Sequence, residues 1–260
     1  MAALRATRAL LNLNTLPLPH HHKPTTNNNN NKTKKTTILE VERKFRRLTI
    51  PTLTNLTPIL RPQHSPPFAS VTPLPTRTIH DIYYDTPAHT LCNAGAYIRR
   101  RDGAWQAKIR RGGDYVNSRF EELRGASAVG RCVAGILASS SSFSSSSSSS
   151  RNTIGTEVEN FGLGVVLAEF VTTREAWLVD GEFKVVRDRM DFGHEVGEVE
   201  LQVEVEVTAQ AGKGLVMMEE MDRRIEGFMK RYAWAWETGE AVGKLSAYFE
   251  MMERKRGGKV

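Results

Sequence analysis

Cysteine is scarce in this chain: Cys92 and Cys132 are the only two in 260 residues. Two widely separated thiols supply neither a disulfide framework nor the paired spacing of a structural zinc site, so a reducing compartment is expected. Long apolar runs are missing as well. No stretch approaches the ~18–20 residues that a helix needs to cross a bilayer, and no membrane partner is expected. Phosphate-loop and zinc-protease signatures fail in detail. Gly239-Glu240-Ala241-Val242-Gly243-Lys244 is one residue short of a nucleotide loop and is followed by Leu245 instead of Ser or Thr. Gly162-Leu163-Gly164 lacks the third glycine of a dinucleotide loop, and His194-Glu195-Val196-Gly197-Glu198 lacks the second histidine of a zinc-protease helix.

Acid is absent from residues 1–39, which carry Arg5, Arg8, Lys23, Lys32, Lys34 and Lys35. The formal charge of +7 therefore belongs almost wholly to this segment, because the remaining 30 bases face all 29 acids. A basic total concentrated in a tail leaves the body close to neutral, and no nucleic-acid partner is expected.

Residues 1–37, with His20, His21 and His22 and the run Asn27 to Asn31, have no periodicity that could build a core and read as a disordered tail. Its start, with Arg5, Arg8 and Leu10-Leu11, is similar to a mitochondrial presequence, although rich in Asn rather than Ser. A cytoplasmic location is expected, with mitochondrial import as the alternative. One domain is expected over 38–252, carrying a Ser-rich surface insertion at 139–150, and a short basic tail over 253–260. Seven of the 11 prolines fall between Pro51 and Pro75, which argues against a long helix there.

Elsewhere the dominant pattern is period-two alternation, the mark of strands with chemically different faces. Glu40, Glu42 and Lys44 share one side of the first such segment. Tyr97, Arg99 and Arg101 share a side of another, and Gln106 and Lys108 of the next. From Glu198 to Glu206, acid or amide alternates with aliphatic residues. Helical period is confined mainly to Gly214–Lys230, where Leu215, Met218, Met221, Ile225 and Met229 form a stripe that reads as a core-packing face. A shorter helix is expected over Lys244–Met251. The predicted fold class is α+β, mostly antiparallel β.

A charged strand face normally looks at water. Here several strands repeat such a face with both signs, and an antiparallel sheet of about eight strands that closes would turn those faces into a polar tunnel. Unpaired charges in such a tunnel would be costly, so they require mutual pairing or a ligand of matching charge. Arg and Lys suit phosphate oxygens, whereas clustered carboxylates suit a hard cation such as Mg²⁺. The mixed lining points to a metal-bound polyphosphate.

The segments Glu40-Val41-Glu42-Arg43-Lys44-Phe45, Tyr83-Tyr84-Asp85-Thr86-Pro87, Tyr97-Ile98-Arg99-Arg100-Arg101, Trp105-Gln106-Ala107-Lys108, Asp191-Phe192-Gly193-His194 with Gly197-Glu198-Val199-Glu200, and Val242-Gly243-Lys244-Leu245 follow one another in this order. As a set they resemble the CYTH, or triphosphate tunnel metalloenzyme, superfamily and within it the thiamine triphosphatases. The resemblance covers roughly residues 38–250. It implies an eight-stranded closed tunnel barrel with flanking helices that binds a small-molecule triphosphate with Mg²⁺, or with Mn²⁺ as a substitute. A monomer is expected.

Carried over by position, the resemblance implies that Glu40, Glu42, Glu198 and Glu200 are metal ligands. Relatives have a further acid where this chain has Val186, and Asp188, two residues on along the same strand face, is the candidate to replace it. Lys44, Arg99, Arg101, Lys108, Arg174 and Lys244 form the implied phosphate-holding set. Tyr97 is the candidate to stack on an organic ring, and Lys108 with Tyr83 the candidates to activate water. Glu122 matches a further acidic position. The leading activity is hydrolysis of thiamine triphosphate to the diphosphate and phosphate. Inorganic tripolyphosphate hydrolysis, adenylate cyclisation, or phosphate-chain binding without turnover are the alternatives.

Overall fold

A strand whose two faces differ chemically must set one against a packed layer and the other against water or ligand, and the long strands of this chain satisfy both demands by closing on themselves. The structure, a computed structural model, describes residues 36–53, 61–141, 159–206 and 211–257. The tail's His and Asn runs and Ser142–Ser150 lie outside the described residues.

In chain order the strands are Thr36–Phe45 (β1), Arg47–Leu48 (β2), Val71–Asp85 (β3), Ala96–Arg101 (β4), Ala104–Gly113 (β5), Asn117–Arg124 (β6), Val165–Val179 (β7), Phe183–Met190 (β8), Glu195–Glu206 (β9) and Trp236–Glu237 (β10). The α-helices are Thr90–Asn93 (α1), Ala126–Ser141 (α2), Ala211–Arg231 (α3) and Lys244–Gly257 (α4). Eight strands form a closed barrel in the order β1, β6, β5, β4, β3, β7, β8, β9, with β9 pairing back onto β1 and every pair antiparallel. The expected tunnel architecture is present. β2 and β10 make a separate short pair outside it.

Turn chemistry sets the register that the site needs. Between β4 and β5 stand only Asp102 and Gly103, with φ of 48° and 81°. Both signs suit the mirror-image turn that matches strand twist, and Asp-Gly tolerates it. That hairpin places Arg99 opposite Gln106 and Tyr97 opposite Lys108.

The outer faces are apolar and covered. Leu39, Val41 and Phe45 of β1 and Val199 and Leu201 of β9 join one cluster with Met218, Met221, Ile225 and Phe228 of α3. Burying each such side chain contributes about 1.5–3 kcal/mol. Here the helix departs from the sequence expectation at one end: Leu215 is 46% exposed, whereas Met229 packs against the core beside the buried Phe228. The stripe starts at Gly214, whose missing side chain faces Leu39, so Leu215 one residue on is rotated away. A second cluster, including Leu91, Ile98, Ala107, Val129 and Val133, seats α1 and α2 on β4 and β5. α2 extends through Ser139–Ser141, so the Ser-rich stretch begins inside a helix, and α4 continues to Gly257, past the expected start of the basic tail. Among the described residues no helix is long and apolar enough to cross a membrane.

Candidate functional site in the barrel interior

On β1 the alternation sends Leu39, Val41 and Phe45 outward and leaves Glu40, Glu42 and Lys44 inside, nearly or wholly out of solvent contact. β9 does the same with Glu198 and Glu200, both below 5% exposed. The register pairs Glu42 directly with Glu200 and Lys44 with Glu198. Two carboxylates opposite one another repel unless cations come between them. Those cations arrive from other strands. Lys108 of β5 donates to Glu40 at 2.9 Å and to Glu42 at 3.1 Å, Lys44 donates to Glu42 at 2.5 Å, and Lys184 of β8 donates to Glu200 at 2.6 Å.

The other half of the wall is basic. Arg174 of β7 makes a two-pronged pair with Asp188 at 2.6 and 2.7 Å and lies 3.6 Å from Glu200 and 3.7 Å from Glu198. Lys244, at the start of α4, reaches in to the same Asp188 and stands 3.9 Å from Glu198. Arg101 pairs with the fully buried Asp81 at 2.7 and 2.8 Å, and Arg99 lies between Gln106, Tyr83 and Glu122. At the end where β8 turns into β9 the interior becomes apolar. Tyr83, Phe170, Met190 and Val196 pack there with Phe192 and with Leu245 and Tyr248 of α4. His194 Nε2 lies 2.8 Å from the Val242 carbonyl, tying that turn to the segment before Lys244.

Electrostatics follow from this crowding. Burial drives the Glu40 carboxyl up to about 7; Lys108 opposes the rise, and Glu200, Glu42 and Glu122 add to it. Burial would raise Glu42 too, but Lys108 and Lys44 outweigh it and hold that carboxyl well below its usual range. Glu200 is held down to about 2 against burial by Lys184, Arg174 and Lys108. Lys108 itself is pushed up: burial lowers it, but Glu40 and Glu42 win. Asp188 is strongly depressed, burial being overcome by Lys244 and Arg174.

The barrel thus brings the expected residues together. Glu40, Glu42, Glu198, Glu200, Asp188, Glu122, Lys44, Arg99, Arg101, Lys108, Arg174, Lys244 and Tyr83 all contribute to the interior described, and half-buried Tyr97 packs at its aromatic end, edge-on to Phe120 at 6.2 Å. Tyr83 and Lys108 stand on different partners, the Tyr83 hydroxyl accepting from Arg99 and Lys108 donating to the two glutamates. Asp188 stands opposite Val196, whereas Val186 stands opposite Glu198, so Asp188 meets two cations one step along the strand from the position it was expected to replace. Sequence reading missed Lys184, Asp81 and Arg124, which donates to Glu122 at 2.9 Å. The signal was parity, since each lies two residues from an identified inward position.

Among the described residues no three His, Cys, Asp or Glu side chains converge as an ion would require. The donor chemistry nevertheless suits a hard divalent cation: Glu40 Oε2 is buried without a hydrogen-bond partner, and Glu42 faces Glu200 with lysine amines standing where a metal would neutralise them. Lys44, Lys108 and Lys184 occupy the facing carboxylate oxygens here.

Fold and lining together define a closed barrel with an ionic interior. The chain belongs to the CYTH domain family, whose model matches residues 39–231. It is similar to thiamine-triphosphatase from Macaca fascicularis, 28% identical over 145 residues, 52% of this chain and 60% of that protein. The human thiamine-triphosphatase is 29% identical over 140 residues, 50% of this chain and 57% of that protein. The chain therefore matches somewhat over half the length of these curated relatives. Among solved structures, the PH1819 protein from Pyrococcus horikoshii OT3 aligns at 16% identity with a TM-score of 0.43, over 81% of this chain and 98% of that one.

Proposed function

We propose that this chain hydrolyses thiamine triphosphate to thiamine diphosphate and phosphate, with Mg²⁺, or Mn²⁺ in its place, held by Glu40, Glu42, Glu198 and Glu200. The observation that carries the reading is the Glu42–Glu200 pair facing a wall of Arg and Lys inside a closed barrel, since a polyanion alone calls for no carboxylates. When bound, the cation acts as a Lewis acid on phosphate oxygens. Arg99, Arg101, Arg174, Lys44 and Lys244 hold the remaining oxygens and stabilise charge on the transferring group, the largest contribution in phosphoryl transfer. Asp188 braces Arg174 and Lys244 as it does in the free protein. Tyr97 stacks on the cationic thiamine ring, for about 0.5–2 kcal/mol.

Water attacks the terminal phosphorus, and the leaving group departs with the bridging oxygen. Burial and Arg99 lower the proton affinity of Lys108, and Glu40, Glu42 and Glu198 raise it by more. Lys108 and Tyr83 are the pair assigned to orienting and polarising the attacking water, which loses its proton as the new P–O bond forms.

A panel of thiamine triphosphate, inorganic tripolyphosphate and ATP, assayed for free phosphate and cyclic product, tests the reading. We expect thiamine triphosphate to be preferred, and Glu42→Ala to lower phosphate release by ~10²–10³-fold, the range typical for loss of an electrostatic group at the reacting centre. Undiminished turnover in excess chelator would rule the metal out.

A further inference from the structure

Arg99 differs from its tunnel neighbours in what neutralises it. Arg101 and Arg174 each meet a carboxylate in a two-pronged pair, at 2.6–2.8 Å. Arg99, only 5% exposed, has neutral oxygens nearest instead. Gln106 Oε1 accepts from Nη2 at 2.9 Å and from Nε at 3.1 Å, and the Tyr83 hydroxyl accepts from Nη1 at 3.3 Å. Two carboxylates reach it at longer range, Glu122 accepting from Nη2 at 3.4 Å and Asp81 lying 3.9 Å from Nε. Gln106 is Arg99's direct partner across β4 and β5, in a hairpin closed by the two-residue Asp102-Gly103 turn, so its approach is fixed by backbone geometry.

We propose that Gln106 is a positioning residue that fixes the plane of the Arg99 guanidinium without cancelling its charge, keeping Arg99 available for a phosphate oxygen of the substrate. A carboxylate at 106 would hold the same fork in the same place and more tightly, because charge-assisted pairs are stronger than neutral ones. It would also add a third and nearer negative charge to those of Glu122 and Asp81 before any ligand arrived. An amide gives the orientation alone. The proposal rests on the reading of the interior as a triphosphate site.

Gln106→Glu keeps shape and acceptor and changes only charge, which separates positioning for the ligand from support of the fold. Binding of inorganic tripolyphosphate with Mg²⁺ is measured by titration calorimetry, and thermal midpoint by calorimetric scan, for wild type, Gln106→Glu and Gln106→Leu. Gln106→Glu is expected to bind roughly 10- to 100-fold more weakly, the range of one hydrogen bond to a charged group, with a thermal midpoint equal to or above that of wild type. Gln106→Leu, which loses the acceptor but adds no charge, is expected to fall between the two in affinity. Wild-type affinity in Gln106→Glu removes this role and leaves the tunnel reading standing. Absence of tripolyphosphate binding by wild type removes both. Should Gln106→Glu fail to fold, Gln106→Leu decides: a several-fold loss supports the role, and wild-type affinity overturns it.

Discussion

Asp81 has no solvent contact, and both its oxygens accept from Arg101. Removing one member of a buried ion pair leaves the other uncompensated, which typically costs ~3–5 kcal/mol. Arg101 retains some solvent contact, so Asp81→Asn is expected at the lower end, about 3 kcal/mol, read by urea unfolding at neutral pH. Asp81 also shows how an interior residue escapes notice. In Ile79-His80-Asp81-Ile82-Tyr83 a single acid among apolar and aromatic residues carries no repeated pattern, whereas Glu40 and Glu42 repeat on one short strand. Only its parity with Tyr83, two residues on, marked its face, and the register sets it opposite Arg101.

Strands and helices obey constraints that one can break singly. Gly197 of β9 lies opposite Phe45, and a Cβ there would sit 2.0 Å from the ring. Gly197→Ala should therefore cost about 1–3 kcal/mol by overpacking, and Phe45→Leu in the same chain should recover part of that loss, a coupling that a double-mutant cycle measures. On the outside of the barrel, Asp222 of α3 joins Arg43 of β1 at 2.8 Å and Arg119 of β6 at 2.9 Å. Burial opposes ionisation of Asp222, but the two guanidiniums hold its carboxyl below the usual range. Its contribution to stability is thus complete above the unfolded-state value of ~3.9 and is lost as pH falls through the lower folded value. Asp222→Ala should flatten the acid limb of a stability-against-pH curve without shifting the neutral-pH activity. β1, β4, β5, β9 and the long helix were legible, because alternation and a 3.6-residue stripe depend on burial of one face. α2 was not: its Gly130, Gly135 and terminal serines have low helix propensity, and its burial of Val129 and Val133 against β4 and β5 outweighs that.

At the scale of the molecule, the interior holds acids and bases that neutralise one another in the absence of ligand, so a ligand that replaces these pairs binds the folded state alone. Tripolyphosphate with Mg²⁺ at about 100 times its Kd should add ~2.7 kcal/mol, a rise of roughly 5–10 °C in thermal midpoint for a domain of this size, checked by differential scanning. Separate halves of this ionic cavity were readable from alternation, and their meeting only through the family resemblance, since alternation says which face a residue takes and nothing about which strand lies across from it. The pairing of β1 with β9 has a consequence for biosynthesis. β1 leaves the ribosome well before β9 and finds that neighbour only when Glu200 has emerged, roughly 8–30 s after Glu42 at ~5–20 residues per second. Until then β1 presents an open hydrogen-bonding edge and a half-dressed row of acids, so nascent chains of this protein should be strong clients for chaperones that shield unpaired strands.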